Sequence, residues 1–122
     1  MNVKKVVKEL EKRFPNKNIV VNDKPGEQEV ICEIVSADVN PERSVALAVV
    51  GKNAPTYHKK SIEIYSVIKG ELNLNIDNKK YILKKGEKKE IKPGKSHWVE
   101  GRNTWFYVYS TPAWTPKDHI LV

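Results

Sequence analysis

Apolar residues at the start of the chain recur at the spacing of a helix. Val3, Val6, Val7, Leu10 and Phe14 fall on one stripe, and lysines and glutamates fill the remaining face. Asn2 can accept a hydrogen bond from the free N–H groups of a first turn, and Pro15 cannot continue the ladder, so a helix is predicted over 2–14. Beyond it the period falls to two. Ile19–Val21, Glu29–Val35 and Ser44–Val50 are rich in β-branched residues and bounded by KPGE, DVNPER and GKNAP. Ile62–Ile68, Glu71–Ile76, Lys79–Leu83, Lys88–Ile91, His97–Val99, Thr104–Ser110 and Ile120–Val122 continue the series. Short strands in succession, with no helix between them, predict an all-β antiparallel sandwich or barrel with the amphipathic helix on its outside.

Two turns are specified by their residues. Asp77-Asn78 suits a two-residue hairpin loop, since both tolerate positive φ. Pro93-Gly94 suits the centre of a type II turn, with φ preset by proline and a positive φ taken by glycine. Alternation then assigns faces. In ELNLNI, Leu72, Leu74 and Ile76 are expected in the core and Asn73 and Asn75 in solvent. In WFYVYS, Trp105, Tyr107 and Tyr109 share one face and Phe106 and Val108 the other, so both faces of this strand are expected to be covered.

The chain has 122 residues, which corresponds to one domain spanning 1–122. With 39% hydrophobic and 30% charged residues, it has the balance of a folded soluble protein rather than a disordered one. No apolar run approaches the ~20 residues that cross a bilayer, and charges thread the N-terminal stripe, so neither membrane nor secretion is indicated and a cytoplasmic protein is expected. One cysteine, Cys32, excludes a disulfide within the chain, and its neighbours Val30, Ile31 and Ile34 suggest a buried, inert thiol. Lys and Arg number 22 against 15 acids, a net charge of +7. Arginine occurs only at 13, 43 and 102 and no basic stripe interleaves with aromatics, so the excess reads as solvated lysine and specific nucleic-acid binding is not expected. Trp98, Trp105 and Trp114 offer area for a pocket wall or a subunit contact, and the aromatic strand and helix stripe together lead us to expect a homodimer.

The chemistry gathers around TYHKKSIEIYSVIKG. Glu63 shares a face with Tyr65 and Val67, while Ile62, Ile64 and Ile68 take the other. An inward Glu63 needs a cation or several donors, because an isolated buried carboxylate is very costly. His58 precedes that strand, and His97 follows the Pro93-Gly94 turn at the start of another, where a rigid element fixes an imidazole near a barrel mouth. His119, beside Asp118 near the end of the chain, reads as a strand cap, with the carboxylate placed to orient the ring. No Gly-rich phosphate loop, Ser-His-Asp order or HExxH motif is present.

These spacings resemble those of the cupins, small jelly-roll β-barrels. Their first motif runs H-x-H, three or four residues, E, six residues, G; here His58, Glu63 and Gly70 match it, with Thr56 in place of the first histidine. Their second runs G, five residues, P-x-G, two residues, H; here Gly86, Gly94 and His97 are in register, with Lys92 in place of the proline. The resemblance spans about residues 44 to 112 and extends to small single-domain cupins akin to mannose-6-phosphate isomerase. It implies a divalent metal (Mn, Fe, Ni or Zn) held by His58, Glu63 and His97, with Thr56, Tyr65 and Tyr107 as pocket residues and Glu63 or His58 as the group that moves a proton. Threonine is a poor ligand for such metals, so weaker binding is expected, or a metal-free pocket in which the histidines and tyrosine hydroxyls satisfy Glu63. Two function classes follow: an isomerase-, epimerase- or dioxygenase-like enzyme acting on a small polar molecule such as a sugar or sugar phosphate, or a module that binds such a ligand without turnover.

Overall fold

A computed structural model describes residues 1–122. Helix α1 spans Val3–Arg13. Strands follow as β1 (Asn18–Lys24), β2 (Glu27–Val35), β3 (Ser44–Lys52), β4 (Thr56–Tyr57), β5 (Ile62–Lys69), β6 (Leu72–Ile76), β7 (Lys79–Leu83), β8 (Lys88–Ile91), β9 (His97–Thr111) and β10 (Ile120–Leu121), with one 3-10 turn at Pro116–Asp118. The Asn2 side chain accepts from the Lys5 N–H at the start of α1, at 3.1 Å.

All ten strands form one antiparallel sheet, in the order β1-β2-β3-β9-β4-β10, with β5 and β6 also pairing with β9, β8 pairing with β5, and β7 with β6. The sheet curls into an open barrel whose spine is β9. Its first half pairs with β4 and β6, and its second half lies between β3 and β5. The alternation expected for two strands, His97–Val99 and Thr104–Ser110, therefore belongs to a single strand of 15 residues. Gly101 and the positive φ of Asn103 (57°) lie between the two halves, where the strand passes from one set of partners to the other. A hydrogen bond of 2.7 Å from the Thr104 hydroxyl to the Glu71 carbonyl ties this bend to the adjoining turn.

Each face of the sheet has its own core. Inside the barrel, Ala48, Val50, Tyr65, Val67, Leu72, Leu74, Leu83, Ile91, Val99 and Phe106 pack together. On the outside, Val6 and Leu10 of α1 cover Val30, Cys32, Leu47, Val49 and Trp105. Of the two surfaces on which a homodimer was expected, the helix stripe and Trp105 of β9 thus pack within the chain, while Tyr107 and Tyr109 stay half-buried. Tyr107 packs against this outer cluster and faces away from the barrel interior, as its parity with Trp105 requires. Cys32 is fully buried there, and burial raises its thiol.

Both predicted turns form: Asp77 and Asn78 have φ of 46° and 69°, and Gly94 has φ of 82°. Asn73 is exposed, but Asn75 is buried and Ile76 only half-buried. Asn75 stands in register with Trp98 on one side and Lys80 on the other. No helix is long and apolar enough to cross a membrane.

Candidate metal and ligand site

Glu63 points into the barrel, because β5 turns Glu63, Tyr65 and Val67 inward and sets Ile62 and Ile64 on the outer face, each a little over a third exposed. His58 follows β4, and His97 opens β9 directly opposite Thr56. The Pro93-Gly94 turn connects the two histidine segments, since the Gly94 N–H donates to the His58 carbonyl at 2.6 Å. Three side chains distant in sequence thereby converge below the surface, with exposures of 4% for His58, 3% for Glu63 and 2% for His97.

His58 Nδ1 lies 3.3 Å from Glu63 Oε1, and His97 Nε2 lies 3.2 Å from the same oxygen. The Ser110 hydroxyl donates to Oε2 at 3.2 Å and the Tyr65 hydroxyl to Oε1 at 3.4 Å. Burial pushes the Glu63 carboxyl up, but the His97 hydrogen bond and the charges of both histidines outweigh it, leaving the group below its ordinary value. Burial pushes His97 down, and its hydrogen bond and charge interaction with Glu63 reverse this into a net rise. For His58 burial prevails over the attraction of Glu63, so its imidazole is held below its ordinary value. Tyr65, buried beside Glu63, is raised well above the ordinary tyrosine value and stays protonated as a donor.

The donor set fits a divalent cation. The ligand atoms of His58, Glu63 and His97 lie within 4.8 Å of one another. A cation about 2.1 Å from each ligand separates adjacent ligand atoms by about 3.0 Å in an octahedron and about 3.4 Å in a tetrahedron, which brackets the two imidazole–carboxylate distances. His97 also presents the correct nitrogen. Its Nδ1–H donates to the Lys95 carbonyl at 3.0 Å, so in the neutral ring Nε2 is the lone-pair atom facing Glu63, and in the charged ring it is a donor to that carboxylate. Two imidazoles, each giving up the proton of its ligating nitrogen when a metal binds, and a carboxylate are a composition that borderline metals accept.

This cluster forms one end of a cavity of ≈ 310 Å³, large enough for a small organic ligand. Thr56 and Tyr65 line it, and Tyr107, on the outward parity of β9, does not. Three residues not assigned to the site from sequence belong to it. Ser110 has the inward parity of Phe106 and Val108, so its face was readable. Glu29 was not: on β2 it alternates with Val30 and Cys32, and the apolar pair looks like the core face. In the fold that pair lies under α1, and Glu29, Ile31 and Glu33 face the cavity. Glu29 is 8% exposed with no cation beside it, and its Oε2 accepts from the Asn53 amide at 3.1 Å. The amide is held in turn by the Val99 N–H at 2.7 Å. Burial raises the Glu29 carboxyl to about 7, with the charges of Glu27 and Glu63 adding to it and Asn53 opposing it.

The third is His119. Directly ahead of β10, it also stands at the cavity mouth with Trp114 and Leu121. Its Nδ1 is 3.4 Å from His58 Nε2 and receives the Trp114 indole N–H at 3.3 Å. Asp118 does not orient its ring; the carboxylate accepts from the backbone N–H groups of Lys59, Lys60 and Ser61 at 2.8 to 3.2 Å.

A profile of the cupin domain matches residues 44–109, more than half of the chain. A comparison with curated protein sequences finds no match. Among solved structures, Streptomyces Pac13, described as a unique nucleoside dehydratase, is similar with a TM-score of 0.73 and 15% identity, covering 85% of this chain and 84% of that one. That protein has also been solved with uridine. KdgF from Halomonas sp. is similar with a TM-score of 0.64 and 15% identity, over 80% of this chain and 89% of that one. A protein from Planctomyces limnophilus gives 0.68 and 20%, over 87% and 90%. At these identities the likeness is one of fold, the antiparallel jelly-roll barrel.

Proposed function

Because the chain belongs to the cupin family, we propose that its barrel binds a small, uncharged, hydroxylated molecule of the sugar class beside His58, Glu63 and His97. The reaction we propose there is a proton transfer of the isomerase or epimerase type. The carrying observation is a buried carboxylate faced by two imidazole nitrogens at 3.2 and 3.3 Å. These three residues would hold a divalent metal, which supplies polarisation of a ligand oxygen when bound. The chain's own contribution is position and proton exchange. Tyr65 and Ser110 orient Glu63, the apolar walls from Ile31, Ala48, Phe106 and Val108 exclude water, and Glu29 lines the same cavity with its proton affinity near neutrality.

The lining favours an uncharged ligand over a phosphorylated one. Glu27, Glu29, Glu33 and Glu63 border the cavity and no lysine or arginine does, so a phosphate lying away from the metal would meet carboxylates and no cationic side chain. The nucleoside seen with Pac13 is likewise an uncharged, hydroxylated molecule.

A second reading has its own support. Ser110, Tyr65 and His97 already give Glu63 three partners, enough to satisfy the carboxylate in a metal-poor barrel that binds without turnover. Incubation of a panel of uncharged aldoses, ketoses and nucleosides in deuterated water separates the two. Exchange of a ligand C–H that Glu63→Gln abolishes supports proton transfer; binding without exchange supports the module. A homodimer would need apolar surface other than the helix stripe, such as Val20 and Val21 on edge strand β1, and sedimentation at varied concentration tests it.

A further inference from the structure

The segment after β9 crosses the barrel mouth and grips both sides of His58. Ahead of it, β10 pairs with β4, placing Ile120 opposite Tyr57 and Leu121 opposite Thr56, and the Val122 N–H donates to the Pro55 carbonyl at 3.2 Å. Behind it, the Asp118 carboxylate takes the N–H groups of the next three residues, Lys59, Lys60 and Ser61. The Ser61 hydroxyl returns a bond to the Pro112 carbonyl at 3.0 Å, and the Trp114 N–H is fixed by the Ser44 hydroxyl at 2.8 Å. A short exposed tail has no need of so many anchors for its own sake.

The ring contacts give these anchors a purpose. The indole of Trp114 can only donate, so the His119 Nδ1 it approaches is an acceptor with its proton on the other nitrogen. The same Nδ1 faces His58 Nε2, and its single lone pair, shared with the indole N–H in a three-centre contact, asks His58 to carry its proton on Nε2. His58 then turns an unprotonated Nδ1 toward Glu63 Oε1. A lone pair opposite a carboxylate oxygen at 3.3 Å is unfavourable unless a cation lies between them. In the metal-free protein the competing arrangement, His58 Nδ1–H donating to Glu63, lacks a complementary partner at the outer nitrogen.

We propose that the strap of residues 112–122 is the positioning device of the metal site, in which Asp118 fixes the His58 backbone and His119, held by Trp114, accepts the His58 Nε2–H and so presents Nδ1 to the cation. The inference rests on the proposed metal site. It assigns to His119 and Asp118 no contact with metal or substrate; they act through His58. The position of the family's first histidine is occupied by Thr56, and the strap compensates by orienting an imidazole that remains.

The test uses the whole chain and Co2+ as the probe, followed by its visible absorption. His119 is exposed, so its replacement leaves the barrel folded. His119→Leu, which offers no acceptor, is expected to weaken Co2+ binding about ten- to hundredfold, and His119→Gln, whose carbonyl can accept, to restore part of the loss. Asp118→Asn should weaken binding as well, with the absorption spectrum broadened. In the Co2+-loaded wild type, proton NMR should show a slowly exchanging His58 Nε2–H, which His119→Leu turns into a rapidly exchanging one. Wild-type affinity and slow exchange in His119→Leu would overturn the role of the strap while leaving the metal site standing. Equal losses in the Leu and Gln variants would likewise reject the acceptor role. A wild type that takes up no Co2+ would instead remove the metal site itself, and the strap's role with it.

Discussion

Among single residues, Glu29 and Glu63 show how one cavity sets two carboxyls apart. Glu63 has imidazole, hydroxyl and phenol partners and is held below its ordinary value; Glu29 has one amide and rises to about 7. Divergent carboxyls of this kind mark acid–base sites. Glu29 also destabilises the fold. Its folded-state value lies above its ordinary value of 4.5, so the folded protein holds this proton more tightly, and stability is lost as pH rises from about 4.5 through about 7. Glutamine at 29 keeps the oxygen that accepts from Asn53 and carries no charge. Glu29→Gln is therefore expected to unfold at higher urea than wild type above pH 7, by at most on the order of 3 kcal/mol, with the gap closing below pH 4.5. Urea titrations at acid and alkaline pH check this; a gap of constant size across pH would contradict it. The triad of His58, Glu63 and His97 was legible because its spacings are fixed by two turns and a strand parity. Glu29, Ser110 and His119 were not read as site residues. Apolar neighbours on the opposite parity concealed the first, and the last reaches the mouth through a loop whose path no local pattern encodes.

The element that organises the molecule is β9. Its residues supply His97 to the cluster, Ser110 to Glu63 and Trp105 to the helix-covered core. The alternation of its second half was readable, and so were the faces of β5, because each strand has one apolar and one mixed face. The continuity of β9 was not, since GRN reads as a turn; here Gly101 lies close under Thr104 and the strand bends instead of ending. A methyl at Gly101 would collide with the Thr104 side chain and approach the Glu71 carbonyl to 3.2 Å. Gly101→Ala should destabilise by about 1–3 kcal/mol, with the loss falling partly on metal binding because His97 begins the same strand. The stripe of α1 was fully legible from its period. Leu10, wholly buried against the outer face of the sheet, anchors it, and Leu10→Ala is expected to lose about 2–5 kcal/mol in chemical denaturation without moving the His58–Glu63–His97 cluster.

At the scale of the whole molecule, charge is distributed against the net balance. The chain carries +7, yet the cavity is bordered by four glutamates and no lysine or arginine. Lysines such as Lys79, Lys80 and Lys88 stay in solvent on β7 and β8. A net charge of +7 taken alone favours an anionic ligand, and the lining of the cavity favours the opposite. An uncharged sugar should bind more tightly than its phosphate, by about tenfold or more for 1.4 kcal/mol of repulsion, as calorimetry with matched pairs would show. An equal or tighter phosphate would reject that selectivity. The fold class was legible because short alternating strands without intervening helices leave few alternatives, whereas the inside of a barrel depends on which face the helix covers. The central claim concerns His58, Glu63 and His97 together, and it is tested most directly by elemental analysis of protein prepared without chelator, wild type beside Glu63→Gln. The account predicts about one divalent cation per wild-type chain and its loss in the variant; a metal-free wild type, or a variant that keeps its metal, would contradict it.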